Sequence, residues 1–306
     1  MPVTTLLRTA IQHFKARRWE RNNSNSLVIF NWHQVAPAFD PSCHHEYTWT
    51  QLDDFEKEIA YLTAEFQILP LHEAISRLNR GCLQGRCASL TFDDGDASMA
   101  DYVWPLLRRL NLPATFFINS AYLDGYRSYW FPVLSYMTVN EDARRRAEFP
   151  VDLQEKGLQL RRTCDANFYN DVRSQIEQFA AFVPDLGSRL VSTEWLSGLD
   201  GEQFAIGAHG HEHQRFSMMP SVWQQNDLRE NVQILSQFRA YRPVFAVPFG
   251  RAWDWSEETI RIAHGEGLDV VLADGGLNVA PGEFYRRIPS DRSKLQPLIV
   301  AAKARG

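Results

Sequence analysis

Short runs of consecutive apolar residues recur along the chain, and longer stretches of helical periodicity separate them. A strand buried on both faces reads as such a run, so we predict β-strands at 27–31, 66–69, 88–92, 114–118, 204–208, 244–247, 268–272 and 285–288. Helices are predicted between them at 51–64, 71–78, 97–110, 220–238 and 256–264. This alternation predicts an α/β fold of parallel strands with crossover helices, either closed into a barrel or left open.

One segment departs from this alternation. About 85 residues separate the strand at 114–118 from the strand at 204–208, far more than a usual connection. Helical patterns occur in it at 129–138, 141–147, 170–182 and 193–196. We interpret the segment, about 126–200, as a helical insertion on the face that carries the site. It forms either a lid or substrate wall, or a structural flap that does not contact the substrate.

The first 25 residues are predicted to form an amphipathic helix and a linker, followed by one large domain over 26–306. Over 4–20, apolar residues recur at helical spacing and basic residues lie between them. Such a helix either makes peripheral contact with an anionic membrane surface or packs against the flank of its own domain.

Composition limits the classes of protein. The chain of 306 residues is 44% hydrophobic and 23% charged, an ordinary globular balance, and its formal net charge of -5 argues against a nucleic-acid partner. The four cysteines form no CxxC pair, so no disulfide framework is predicted. No apolar run approaches a transmembrane helix, and the N-terminal residues lack the apolar core of a signal peptide. We therefore expect a cytoplasmic protein, membrane-associated if residues 4–20 contact a lipid surface.

Two predicted strands end in polar side chains. Asp93 and Asp94 follow the strand at 88–92. If they are partly buried, one of them must be protonated, paired or bound to a cation, although Asp-Asp-Gly is also common in solvated turns. His209 and His213 follow the strand at 204–208, and they share one face if a helical turn begins there. Two imidazoles and a carboxylate can hold a divalent metal with one position open, whereas His211 should point elsewhere. The alternative is a chance cluster of surface histidines.

These stretches together resemble the polysaccharide deacetylase (NodB-homology) family. The similarity rests on TFDDG at 91–95 and on the pair of histidines spaced as HxxxH at 209–213. It extends to LPATFF at 112–117, FAVPFG at 245–250 and FNWHQV at 30–35, in an order and spacing that cover about 27–288.

The resemblance implies a distorted (β/α) barrel and a metal-dependent deacetylase of N-acetylated sugars. By position it implies that Asp94, His209 and His213 are the metal ligands and that Asp93 is the general base. Zinc is the default ion for a site of two histidines and a carboxylate, although other divalent ions would fit.

The third motif supplies the implied substrate contacts, Pro248, Phe249 and Gly250, of which the first two would shape an acetyl pocket. Just before them, Ala246 stands where many members carry an arginine that orients the base. Arg242 and Arg251 are the candidates to replace it, although both read as surface residues.

Two further positions depart from the family pattern. Gly210 stands where the family has a serine or threonine that braces the loop. The family's C-terminal histidine, which acts as general acid, has no visible counterpart after 288. We expect His33, at the end of the first predicted strand, to act as the acid, with solvent or substrate as the alternative donor.

The function expected is therefore that of a metal-dependent hydrolase that removes an N-acetyl group from an amino sugar in a glycan or glycan precursor. The alternatives are a hydrolase of a small non-sugar amide and a catalytically silent carbohydrate-binding protein.

Overall fold

The computed structural model describes residues 25–40, 48–125, 129–160, 163, 165–185 and 189–290. The predicted amphipathic helix at 4–20 lies outside these residues and stays a prediction, as does the cytoplasmic location. Within the described ranges, no helix combines the length and the apolar character needed to cross a membrane.

Parallel strands form a closed barrel. The described strands are β1 (Asn25–Trp32), β2 (Gln34–Ala36), β3 (Trp49–Gln51), β4 (Gln67–Ile68), β5 (Gly85–Phe92), β6 (Ala114–Ile118), β7 (Phe204–Ala208), β8 (Tyr241–Ala246), β9 (Asp269–Leu272) and β10 (Tyr285–Pro289). Seven of them pair in the order β1-β5-β6-β7-β8-β9-β10, and β10 pairs again with β1. The predicted α/β barrel is confirmed, and it is closed rather than open.

The longest ladder joins β1 to β5, with Asn25 opposite Gly85 and Trp32 opposite Phe92. The eight predicted strands all occur, with shifts of a few residues at their ends. The strands β2 and β3 were not predicted, because each has three residues and too little alternation to read. They pair with each other in a separate small sheet.

The described α-helices are α1 (Leu52–Glu65), α2 (Leu71–Asn79), α3 (Trp104–Arg109), α4 (Trp130–Val139), α5 (Glu141–Arg146), α6 (Val151–Gln159), α7 (Ala166–Glu177), α8 (Thr193–Ser197), α9 (Ser221–Leu235) and α10 (Glu257–Gly265). The helix predicted at 97–110 is divided, because a π-helical turn at Met99–Val103 leads into α3. Pro105, the second residue of α3, has no N–H to donate to the preceding turn, and the wider turn accommodates it. Helix α2 contacts β1, β5 and β8 and so covers the N-terminal end of the barrel.

The helices between β6 and β7 have a hydrophobic core of their own. It is formed by residues of α4, α6 and α7, among them Trp130, Val133, Leu134, Met137, Leu153, Tyr169, Val172 and Ile176. A Cβ at Gly157 would lie 2.8 Å from the Leu134 side chain, so α4 and α6 pack in close contact. Helix α6 was not predicted, because the exposed Val151 and Leu158 obscure its buried face. The helix predicted at 170–182 divides into α7 and a short 3₁₀ turn at Ala180–Phe182.

Candidate active site

The site begins where β5 ends. The backbone N–H of Asp93 donates to the carbonyl of Trp32 at 2.9 Å, which continues the pairing with β1. Asp94 and Gly95 then both adopt positive φ, at 77° and 68°. Such a conformation costs an aspartate about 1 kcal/mol or more, so the surrounding structure must hold it. The turn separates the two adjacent carboxylates, which take up different environments.

The second part of the site follows β7. The helical turn that would place His209 and His213 on one face does not form, because residues 209–215 are an irregular loop. Gly210 and His213 take φ of 76° and 50°, and these two left-handed residues turn the chain instead. The two imidazoles nevertheless converge, with ring centroids 5.1 Å apart.

A buried carboxylate on α9 braces this loop. Asp227 accepts the N–H groups of His211 and Glu212 at 2.8 and 3.0 Å. It takes over the bracing that a serine or threonine hydroxyl at 210 was expected to provide. A Cβ at position 210 would lie 2.9 Å from Asp227 Oδ1, so any larger residue there would clash with the carboxylate that braces the loop. The ring of His211 points away from the site, as predicted, with Nδ1 2.9 Å from Ser120 Oγ.

Three donor atoms converge at the rim of the barrel that the C-terminal ends of the strands, β5 and β7 among them, form. Asp94 Oδ1 lies 3.3 Å from His209 Nε2 and 3.2 Å from His213 Nε2. Among the residues described, Asp94, His209 and His213 are a group whose ligand atoms all lie within 4.8 Å of one another. Ligands at about 2.0–2.1 Å from a tetrahedral zinc stand about 3.3 Å apart, so these separations suit a metal.

Two further observations fit a metal at these atoms. The Nδ1 of His209 lies 2.7 Å from the carbonyl of Ala246, which only a protonated Nδ1 can satisfy. The lone pair of the neutral ring therefore stands on Nε2, facing Asp94. Within the described part of the chain, the Oδ1 atom of Asp94 is buried without a hydrogen-bond partner of good geometry. A cation between these atoms would satisfy the carboxylate and both imidazoles.

The pKa values of the three groups follow from their burial and mutual charge. Burial opposes ionisation of Asp94, but His213 and His209 outweigh it and hold the pKa of Asp94 well below its usual value. Burial also disfavours a charged His209, but Asp93 and Asp94 raise the pKa of that imidazole. For His213, burial dominates and lowers the pKa. A neutral His213 beside an ionised Asp94 is the state that binds metal ions.

Asp93 lies beside this cluster in a cage of hydrogen-bond donors. The guanidinium of Arg287 donates from Nη1 to Oδ1 at 2.7 Å and from Nη2 to Oδ2 at 2.9 Å. Asn31 Nδ2 donates to Oδ2 at 3.1 Å, and Asn31 Oδ1 accepts from Arg287 at 3.0 Å. Burial would raise the pKa of Asp93, but Arg287, and then His209 and His33, outweigh it, so the pKa falls below its usual value. Asp93 is therefore an ionised, fixed carboxylate.

Arg287 contacts Asp93 and was not among the site residues predicted from the sequence. Arg242 is bonded to the carbonyls of Arg239 and Gly201, and Arg251 lies over the Trp253 ring, so neither reaches Asp93. In β10, Arg287 shares the face of the buried Tyr285, and the exposed Arg286 between them points the other way. An arginine on the inner face of a strand needs a partner, and barrel closure places Asp93 there.

The remaining predicted residues lie on the same rim. His33 follows β1, and its Nε2 stands 3.8 Å from Asp93 Oδ2, with the side chain 26% exposed. The ring of Phe249 lies 4.8 Å from that of His213, and the preceding Pro248 is buried. Gly250 has a structural role in the turn, since its carbonyl accepts the N–H of Ala273 at 2.9 Å and a Cβ would lie 2.7 Å from that nitrogen.

The fold and this site define a family. The polysaccharide deacetylase family model matches residues 80–271, more than half of the chain. The chain therefore belongs to the polysaccharide deacetylase family. The matched region contains the turn of Asp93 and Asp94 and the loop of His209 and His213, and it excludes both β1 and β10.

Individual relatives share the fold at low identity. The poly-beta-1,6-N-acetyl-D-glucosamine N-deacetylase of Staphylococcus epidermidis is 27% identical over 150 residues, which is 44% of this chain and 51% of that protein. The chain thus spans about half the length of this curated relative. The Streptococcus pyogenes deacetylase PplD in complex with acetate is 12% identical, with a TM-score of 0.59 over 90% of this chain and 97% of that one. IcaB from Ammonifex degensii is 16% identical, with a TM-score of 0.57 over 91% and 97%.

Proposed function

We propose that this protein is a metal-dependent hydrolase that removes the N-acetyl group from an amino sugar in a glycan or glycan precursor. One observation carries the proposal: the cluster of Asp94, His209 and His213 faces a second carboxylate, Asp93, that is held ionised by its own arginine. A cation site beside a separate base is the arrangement that amide hydrolysis with an activated water requires.

Asp94, His209 and His213 would hold the divalent ion, with zinc as the default for these ligands. When bound, the ion would polarise the acetamide carbonyl and acidify a water molecule. The ring of His209 is oriented by the carbonyl of Ala246, so its Nε2 is presented to the ion without a change of rotamer.

Asp93 would act as the base through Oδ2. This atom lies 3.9 Å from His209 Nε2 and 3.8 Å from His33 Nε2. A water molecule beside these atoms could therefore hydrogen-bond to the carboxylate while it contacts the ion. The pair of bonds from Arg287 fixes the plane of the carboxylate, and Asn31 supports the same oxygen. The depressed pKa of Asp93 keeps it able to accept a proton at neutral pH.

His33 would donate the proton that the leaving amine needs. Its Nε2 stands 3.8 Å from Asp93 Oδ2, and its side chain is exposed enough to meet a substrate. A donor is required, because the tetrahedral species otherwise returns to the amide. The alternative donor is solvent or the substrate itself.

The rim beyond the metal cluster supports a saccharide substrate. The Phe249 ring forms an apolar wall next to His213, where the methyl group of an acetyl would fit. Farther along the same loop, Trp253 is 54% exposed. The buried ion pair between Asp254 and Arg215, at 2.8 Å, and a bond from Ser217 to the Trp253 carbonyl hold that loop in place. A fixed, exposed indole suits the apolar face of a sugar ring.

The experiment is acetate and free-amine release by the metal-loaded and metal-stripped protein. The panel holds β-1,6-linked N-acetylglucosamine oligomers, which the Staphylococcus epidermidis relative suggests, β-1,4-linked oligomers and small non-sugar acetamides. The proposal requires release from an oligosaccharide only when metal is bound, and strong loss in Asp93→Asn. Release from the small amides alone would favour a non-sugar amidase. Oligosaccharide binding without acetate release would favour a silent carbohydrate-binding protein.

A further inference from the structure

Tyr129, the residue just before α4 in the helical segment between β6 and β7, reaches the metal-ligand turns. The Tyr129 hydroxyl donates to the backbone carbonyl of Asp94 at 2.5 Å and lies 2.9 Å from Asn119 Oδ1. The amide of Asn119 in turn donates to the carbonyls of His209 and Gly210. Tyr129 is 3% exposed, and Asn119 is 1% exposed. These two side chains therefore join the turn of Asp94 to the loop of His209.

The same segment encloses the second histidine. The Tyr129 and Phe131 rings lie 5.6 and 5.9 Å from the His213 ring, and Phe249 closes the third side. His209 is oriented by a hydrogen bond from Nδ1, whereas the buried Nδ1 of His213 has no hydrogen-bond partner among the described residues. Apart from the contact of its Nε2 with Asp94 Oδ1 at 3.2 Å, the His213 imidazole is therefore held by aromatic packing.

The other end of the segment is bonded to the same turn. The N–H of Val191 donates to the carbonyl of Gly95 at 2.9 Å, and the N–H of Ala97 donates to the carbonyl of Arg189 at 2.7 Å. Asp96 and Leu190 form an antiparallel bridge between these bonds. The strained Asp94–Gly95 turn is thus bonded on one side by Tyr129 and on the other by 189–191.

We propose that the helical segment is a frame for the metal site and that Tyr129 is a positioning residue for Asp94 and His213. This inference rests on the proposed metal-binding function. A freely opening lid would break bonds to the backbone of the ligand Asp94 each time it moved, so these contacts favour a fixed frame. The positive φ of Asp94 is the reason that a frame is needed, since the turn is unfavourable in isolation.

The experiment compares Tyr129→Phe with Tyr136→Phe. Tyr136 is a buried tyrosine of the same segment whose hydroxyl accepts a bond from Asn140, so the control removes the same atom at a place that does not contact the ligands. Zinc affinity is measured by competition with a chromophoric chelator, and unfolding of the metal-free forms is followed by circular dichroism. We expect Tyr129→Phe to bind zinc about 10- to 100-fold more weakly than the parent, as for other residues that orient ligands, with Tyr136→Phe unchanged.

A third variant, Tyr129→Leu, also removes the ring beside His213 and should weaken zinc binding further. A purely structural role would instead lower the melting temperature of the metal-free protein and leave zinc affinity at the parent value. Zinc affinity of Tyr129→Phe within about twofold of the parent would overturn this inference and leave the proposed function standing. A parent chain that binds no divalent metal would overturn both.

Discussion

The pair of Asp93 and Arg287 offers a sharp test of the proposed base. Arg287→Met removes the guanidinium but keeps most of the apolar volume of the side chain, which is 1% exposed. The variant loses two charge-assisted bonds, of 2.7 and 2.9 Å, and leaves a buried carboxylate with Asn31 as its remaining close donor. Breaking a buried pair in this way costs about 3–5 kcal/mol of stability.

The catalytic consequence follows from the pKa of Asp93. Burial raises this pKa and Arg287 is the largest group that lowers it, so the variant should have a higher pKa for Asp93. In the folded parent, the depressed pKa of Asp93 contributes stability at every pH above the pKa of this group in the unfolded chain. The contribution is lost as the pH falls through the folded pKa. The variant lacks this contribution, so its free energy of unfolding should change less as the pH falls.

The assay is the pH dependence of kcat/KM for acetate release at saturating metal. The acidic limb should move to higher pH in Arg287→Met, because a higher pH is then needed to ionise the base in the free enzyme. Arg286→Met is the matched control, since Arg286 is the adjacent arginine, 48% exposed and paired with Asp274. The double variant Asp93→Asn with Arg287→Met removes both charges and should regain part of the lost stability. An acidic limb that coincides with that of the parent, in a folded variant, would refute the reasoning.

Three further predictions concern separate groups. His213→Ala should lose bound metal and activity, because one of the three converging donor atoms is removed, whereas His211→Ala should retain metal; metal analysis after dialysis distinguishes the two. His33→Gln should keep metal and substrate binding, lower turnover and alter the alkaline limb of the rate profile; unchanged turnover would assign the proton to solvent. Glu58→Gln should raise stability above neutral pH. Burial raises the pKa of Glu58 from 4.5 to about 7 despite its bond from Trp32. The folded parent therefore loses stability as pH rises from 4.5 to about 7, by about 3 kcal/mol at most. Denaturant unfolding at pH 5 and pH 8 measures the difference, and equal pH dependence in both proteins would contradict it.

Much of the site could be predicted because its residues follow strands. Asp93, Asp94 and His209 lie at the ends of apolar runs, and parallel strands bring such ends to one rim. The HxxxH spacing at 209–213 added His213 to these residues. The conformation that unites the two histidines could not be predicted, since it depends on left-handed backbone at Gly210 and His213.

The residues that orient the site were missed for another reason. Arg287 is 194 residues from Asp93, and Tyr129 is 35 residues from Asp94. Neither belongs to a short pattern, and both matter only because packing places one polar atom against another. The candidate arginines, Arg242 and Arg251, lie near Ala246 in the sequence, whereas barrel closure supplies the arginine from the strand β10.

By itself, the sequence determined the strand and helix order, the α/β class and the residue types that meet at one rim, because these follow from hydrophobic periodicity and local turn chemistry. Only the tertiary structure decided which arginine holds Asp93 and which aromatic rings enclose His213. Those contacts join distant segments, and they form only when β10 pairs with β1 and the helical segment packs against the turn of Asp94.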